Sequence, residues 1–186
     1  MTSPGAEPGA IYRQVLDTLF DRVLRQRMTP ALKAELARAG LDLDAPLPPQ
    51  YGTAKWKPAI ESIASHLFPG QGAPRAQLQL GRLLVDEYRQ TGWGLATVTL
   101  ARMLGPRQLL LRAHALMSAP GKVEFTRLQE LEEDDFELWL KHIAVSASFT
   151  EGLLVSGLEA SGASGVTVKH LGGSAQDGHR FSLSWS

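Results

Sequence analysis

The apolar positions of this chain change their period about two-thirds of the way along. Up to Met117 they recur every three to four residues, as on one face of a helix. Beyond Pro120-Gly121 they alternate, as on one face of a strand. The spacing predicts a first helix from Ile11 to about Arg27, with Val15, Leu16, Leu19, Phe20, Val23 and Leu24 on its inner stripe. Thr29-Pro30 offers a capping hydroxyl and a proline at the first helical position, so a second helix is expected from Pro30 to Ala39, stopped by Gly40. Leu41 to Gly52 reads as an extended connector, because Pro46, Pro48 and Pro49 forbid a helix. A third helix is expected over Thr53 to Leu67 and a fourth over Pro74 to Thr91. Gly92 and Gly94 bracket Trp93 at a corner. Leu95 to Leu104 is almost wholly apolar, which predicts a short helix at the centre of the fold. Gly105-Pro106 restarts the chain into a sixth helix ending near Met117.

Val123 to Leu128 and Phe136 to Lys141 alternate as two strands, with the acidic segment Glu130 to Asp135 as their hairpin loop. Ser148 followed by Glu151 matches a capping box, so a helix is expected from Ser148 to Gly162. Val166 to Lys169 and Phe181 to Trp185 are the last two strands, across a polar loop from Gly172 to Gly178. The fold class is therefore α+β: a layer of about six helices, then a C-terminal ββαββ unit forming a four-stranded antiparallel sheet. Residues 1–10, rich in Pro and Gly, read as a disordered tail, and 11–186 as one domain.

Composition narrows the function more than it defines it. With 186 residues and 44% hydrophobic content, the chain has material for a core. Lys and Arg number 19, and so do Asp and Glu, so there is no basic excess to hold nucleic acid or an anionic membrane. The absence of cysteine removes disulfides, thiolate catalysis and thiolate zinc sites. The most apolar stretch, Leu95 to Leu104, is about half a membrane span and contains Arg102, so no membrane insertion is expected. The N-terminus shows no basic-then-apolar signal pattern, which points to the cytoplasm.

Candidate chemistry is sparse. The histidines, His66, His114, His142, His170 and His179, fall on five different elements, and none are spaced to present a pair from one helix to a metal. His142 and His170 lie near strand ends, where they can meet across the sheet. His114 stands late in the helix before the first hairpin among Leu110, Leu111 and Met117, an apolar setting that a haem ligand would need. The bland reading is a histidine placed at a helix C-terminus by the dipole. No serine lies in a nucleophile elbow, no phosphate-binding glycine loop is present, and the acidic hairpin lacks the spaced ligands of a calcium loop. Trp139 shares a strand face with Glu137 and Lys141, away from Phe136, Leu138 and Leu140, which marks that face for a protein partner or for cover by the chain's own helices.

Several segments carry a resemblance. They are Thr29-Pro-Ala-Leu-Lys, Gly40-Leu-Asp-Leu-Asp-Ala-Pro-Leu, Leu104-Gly-Pro-Arg, Asp135-Phe-Glu-Leu-Trp, Gly157-Leu-Glu-Ala-Ser-Gly-Ala and the terminal Ser184-Trp. Together they resemble a paralogous family of uncharacterised myxobacterial proteins, from about Ile11 to Trp185, and no catalytic residue transfers from it. The C-terminal pattern is similar to a wider group: 4-vinyl-reductase-type domains, haem nitric-oxide-binding domains and transport-particle subunits. That likeness implies helices followed by a ββαββ sheet, and a small apolar ligand or a homodimer. The haem group's Tyr-x-Ser-x-Arg signature is missing; Phe125-Thr126-Arg127 is the nearest segment.

The expected function is a non-catalytic small-molecule-binding or regulatory module, not an enzyme, since no nucleophile, base and orienting group converge. Its small apolar ligand would lie between the sheet and the helices, lined by Leu84, Tyr88, Leu100, Met103 and His114. The alternative is a protein-interaction module (scaffold, adaptor or immunity-type) using Trp139, Glu137 and Lys141. No metal and no cofactor is expected, with haem on His114 the lesser possibility.

Overall fold

The computed structural model describes residues 11–12, 17–44, 50–51, 53–118, 125–143 and 145–186. The expected tail at 1–10 lies outside them, as do Val15 and Leu16 of the first inner stripe and Val123 and Glu124 of the first long strand. Strand β1 (Ile11–Tyr12) pairs antiparallel with β2 (Gln50–Tyr51). The long first helix is thus corrected: its start is strand, and its apolar stripe lies on a π-helical segment, Thr18–Val23. The wide turn shows in the bond from Leu24 N to Leu19 O, five residues back and 2.9 Å long, and Leu19, Val23 and Leu24 are all buried.

Helix α1 (Pro30–Arg38) begins as its sequence requires, with Thr29 Oγ1 accepting from Leu32 N at 3.2 Å. Helix α2 (Thr53–Leu67) buries Trp56, Ile60 and Ile63 completely, and its Pro58 lies in the second turn. Helix α3 (Ala73–Tyr88) starts with Pro74 near its N-terminus. Helix α4 (Gly92–Met117) merges the expected fifth and sixth helices, and the break between them survives as a kink at Gly105, whose φ of 75° and ψ of 165° leave the helical region.

The C-terminal third keeps the expected order. Strands β3 (Thr126–Glu132) and β4 (Asp135–Leu140) form one hairpin, α5 (Ala147–Ala160) crosses over, and β5 (Thr167–Ser174) and β6 (Gly178–Ser184) form the second. The sheet order is β3-β4-β6-β5, antiparallel throughout. The acidic segment is mostly strand: β3 runs to Glu132 and the turn is Glu133-Asp134. The cap of α5 is Ser146, not Ser148; Ser146 Oγ accepts from Phe149 N at 3.1 Å. Glu151, freed from the expected capping box, instead accepts from the backbone of His170 at 2.7 Å.

Among the described residues two clusters make up the interior. One is helical, with Leu19, Leu24, Leu36, Trp56, Ile60 and Leu80 among its members; the other covers the sheet through Phe136, Leu138, Phe181, Leu183 and Leu158. Helix α5 joins them, giving Phe149 and Leu153 to the first and Leu154 and Leu158 to the second. It lies backbone to backbone on α3: a Cβ added at Gly81 would overlap the carbonyl oxygen of Phe149, and one at Gly152 that of Leu78. Polar pairs flank this crossing. Ser146 donates to Gln77 at 2.5 Å, and Arg82 meets Glu159 at 2.9 and 3.1 Å.

Candidate functional site

Helix α4 is built against the usual rule. Its first half turns small residues inward, burying Gly94 and Ala101. Its large apolar side chains face out: Trp93 is 76% exposed, Leu95 64%, Leu100 57% and Met103 80%. Trp93, Leu100 and Met103 are spaced seven and three residues apart and so share one face. The sequence expectation that Leu95 to Leu104 is central is therefore overturned. Apolar content placed the segment inside, but the residues it buries are the small Gly94 and Ala101, with Val98 and Leu104 only half-buried. Trp93, Leu100 and Met103 thus form an exposed apolar stripe along one side of α4.

At the N-terminal end of this face is a cleft of about 310 Å³, lined by Asp17, Thr18, Asp21, Arg22, Tyr88, Thr91 and Trp93. Thr91 holds its floor: Thr91 Oγ1 donates to Tyr88 O at 2.8 Å and accepts from Gly94 N at 2.9 Å, joining the end of α3 to the start of α4. Arg22 lies on one wall, 3.6 Å from Glu87 and 3.4 Å from the Gln90 side-chain oxygen. Two further clefts, each about 340 Å³, lie nearby: one around Arg27, Phe68, Arg82 and Asp86, the other around Arg25, Gln26 and Glu87.

The five residues expected to line one internal pocket are dispersed. Leu84 is in the helical core, Tyr88 lines the outer cleft, and Leu100 and Met103 face outward. His114 faces β3, where Nδ1 is 2.9 Å from Thr126 Oγ1 and 3.1 Å from Ser118 Oγ. Leu110 and Leu111 of α4, both half-buried, pack on the cluster of Phe136, Leu138 and Phe181.

Trp139 packs against the β5–β6 turn rather than under a helix. Its indole Nε1 donates to Asp177 O of that turn at 2.9 Å, and the Arg127 guanidinium stands 4.6 Å over its ring. Glu137, on the same face, lies 3.7 Å from Arg180, and Lys141 is half-buried at the strand end. The turn fits the indole closely. A Cβ at Gly178, whose φ is +81°, would stand 2.6 Å from the indole and 2.8 Å from Leu140 O. Gly178→Ala is expected to cost about 1–3 kcal/mol. Urea denaturation checks this, and tryptophan emission should shift to the red in the variant but not in a Trp139→Phe background.

The histidine pairing also differs from expectation. His142 lies beside Phe125, with ring centroids 6.3 Å apart, while His170 meets His179, ring nitrogen to ring nitrogen, at 3.1 Å. Sequence reasoning missed this pair, and the start of α4 as a surface. Among the described residues no group of three or more His, Asp or Glu side chains is placed to hold a metal, and no helix is long and apolar enough to cross a membrane.

The sequence profile of a family described as protein of unknown function (DUF2378) matches residues 10–186. The chain belongs to this family. No curated protein matches it at a significant level. Among solved structures, this DUF2378 protein is similar to a Cs H-NOX mutant carrying 4-cyano-L-phenylalanine, with a TM-score of 0.65, 11% identity and coverage of 95% of this chain and 97% of that one. An H-NOX protein from S. oneidensis in an Fe(II)NO state gives 0.61 at 14% identity, covering 95% and 99%. An unliganded Fe(II) H-NOX mutant from K. algicida gives 0.58 at 9% identity, covering 95% and 97%. At such identities the likeness establishes the fold of the DUF2378 chain, which is H-NOX-like over nearly its whole length.

Proposed function

We propose that this protein is a non-catalytic regulatory module of H-NOX-like fold that binds a small apolar or aromatic ligand in the cleft between Tyr88 and Trp93. The observation that carries the reading is that cleft itself. Its 310 Å³ falls in the size range of small-molecule sites, two aromatic rings line it, and Arg22 and Thr91 supply a few polar anchors. It opens onto the apolar face of α4, so an occupant would bridge the end of α3 and the start of α4. Movement of α4 about Gly105 would pass that binding to β3 through the Arg107–Glu130 pair, whose contacts are 2.7 and 2.9 Å.

The solved neighbours include an Fe(II)NO form and a protein studied for heme distortion, which raises haem as the ligand. The residues present do not fit it. His114 lines none of the three clefts, and the leucines preceding it are already committed to the sheet cluster. A haem slot would need that cluster opened, so no step is assigned to haem.

The test is titration with the apolar fluorophore 8-anilinonaphthalene-1-sulfonate. One equivalent should bind, and Trp93→Ala should weaken it by about tenfold, or ~1.4 kcal/mol. Undiminished binding in Trp93→Ala and Tyr88→Ala would remove the cleft from consideration. A second reading, a protein-interaction module, is favoured by the exposure of Leu100 and Met103, which lie beyond the cleft. Light scattering of the wild type and of Met103→Asp separates the two: an assembly that dissolves in Met103→Asp supports the second.

A further inference from the structure

His170 on β5 and His179 on β6 belong to the last hairpin. A bulge between His170 and Gly172 shifts the register, so that His170 stands opposite Phe181 while His179 stands opposite Gly173. Both rings are half-buried, their centroids 5.2 Å apart and inclined at 38°. Nε2 of His170 and Nδ1 of His179 face each other at 3.1 Å. The Phe181 ring lies behind His170 at 5.1 Å, and Glu151 fixes the His170 backbone from α5. The pair is thus positioned by two strands and a helix before anything binds.

Two neutral imidazoles in this arrangement share one proton, one nitrogen donating and the other accepting. The same two nitrogens are spaced as ligands of one ion. Nitrogens bound at 2.0–2.1 Å with angles near tetrahedral lie about 3.0–3.4 Å apart. Burial, and then the neighbouring His170, hold His179 below the usual histidine range, which keeps its lone pair available near neutrality.

We infer that His170 and His179 form a two-imidazole site for a first-row divalent transition-metal ion. On binding, the ring that had donated carries its proton on its other nitrogen, and both facing lone pairs go to the metal. No net proton leaves a neutral pair. Among the described residues only these two side chains are supplied, so water completes the coordination and the ion is exchangeable, with Cu²⁺ held more tightly than Ni²⁺ or Zn²⁺.

The full chain is titrated with CuCl₂ and with ZnCl₂ by calorimetry, and the copper form is examined by electron paramagnetic resonance. One equivalent with two coupled nitrogens is expected. His170→Gln and His179→Gln should each weaken binding about tenfold or more, while His142→Gln leaves it unchanged. The inference is overturned if no equivalent binds, or if binding survives both substitutions. Should a variant misfold, ring-proton NMR of the wild type decides. Zn²⁺ must shift the His170 and His179 signals first, and first shifts at His66, His114 or His142 count against the site.

Discussion

Gly81→Val destabilises the protein by about 3 kcal/mol or more, the upper end of what overpacking costs. The reason is what the new side chain meets. A Cβ at Gly81 overlaps the Phe149 carbonyl oxygen and crowds Leu153 N at 3.1 Å and Gly152 Cα at 3.2 Å. All three are backbone atoms of α5, so no rotamer change makes room; the helices must separate. Separation also breaks the Ser146–Gln77 and Arg82–Glu159 pairs beside the crossing. Because α5 belongs to both clusters, the strain reaches sheet and helices together, and urea unfolding should stay one cooperative transition with a lower midpoint. Gly152→Val should do the same, and the double variant should cost less than the sum, since both act on one gap. A loss under about 1 kcal/mol in either single variant would mean that the two helices are not in backbone contact.

Trp56→Ala has the second large effect, about 3–5 kcal/mol. The side chain is 1% exposed at the centre of the helical cluster, where α2 meets its neighbours. Against a total stability of about 5–15 kcal/mol for an ordinary domain, this leaves a marginal fold. Near-ultraviolet dichroism should collapse before the far-ultraviolet helix signal. A variant that keeps its wild-type urea midpoint would show that the indole is not packed as described.

Local signals carried well into the structure. Thr29-Pro30 gave a helix start at the residue expected, because cap and proline act within one turn. The alternation of Phe136, Leu138 and Leu140, and of Phe181 and Leu183, placed the right side chains inward, because strand period and burial coincide there. What failed needed knowledge of a partner. Hydropathy marks Leu95 to Leu104 as apolar but does not say which arc meets the protein. The small residues Gly94 and Ala101 were the signal, visible only once α4 is known to lie close to its neighbours. The Gly81–Gly152 contact joins residues 71 positions apart. The His170–His179 pair depends on a bulge that moves register by one residue, which alternation alone does not place. Ser146 and Ser148 are both suitable caps by type, and the choice fell to Ser146, which also reaches Gln77 on α3.

The carboxylate of Glu151 has one more consequence. Strand β5 is one of the sheet's two outer strands, and an outer strand offers unpaired amides on which a foreign strand can grow. Here the amide of His170 is already taken by Glu151, and the adjoining bulge interrupts the row of remaining groups. One side chain and one extra residue thus make the last hairpin a poor template for polymerisation, so the sheet ends at this edge.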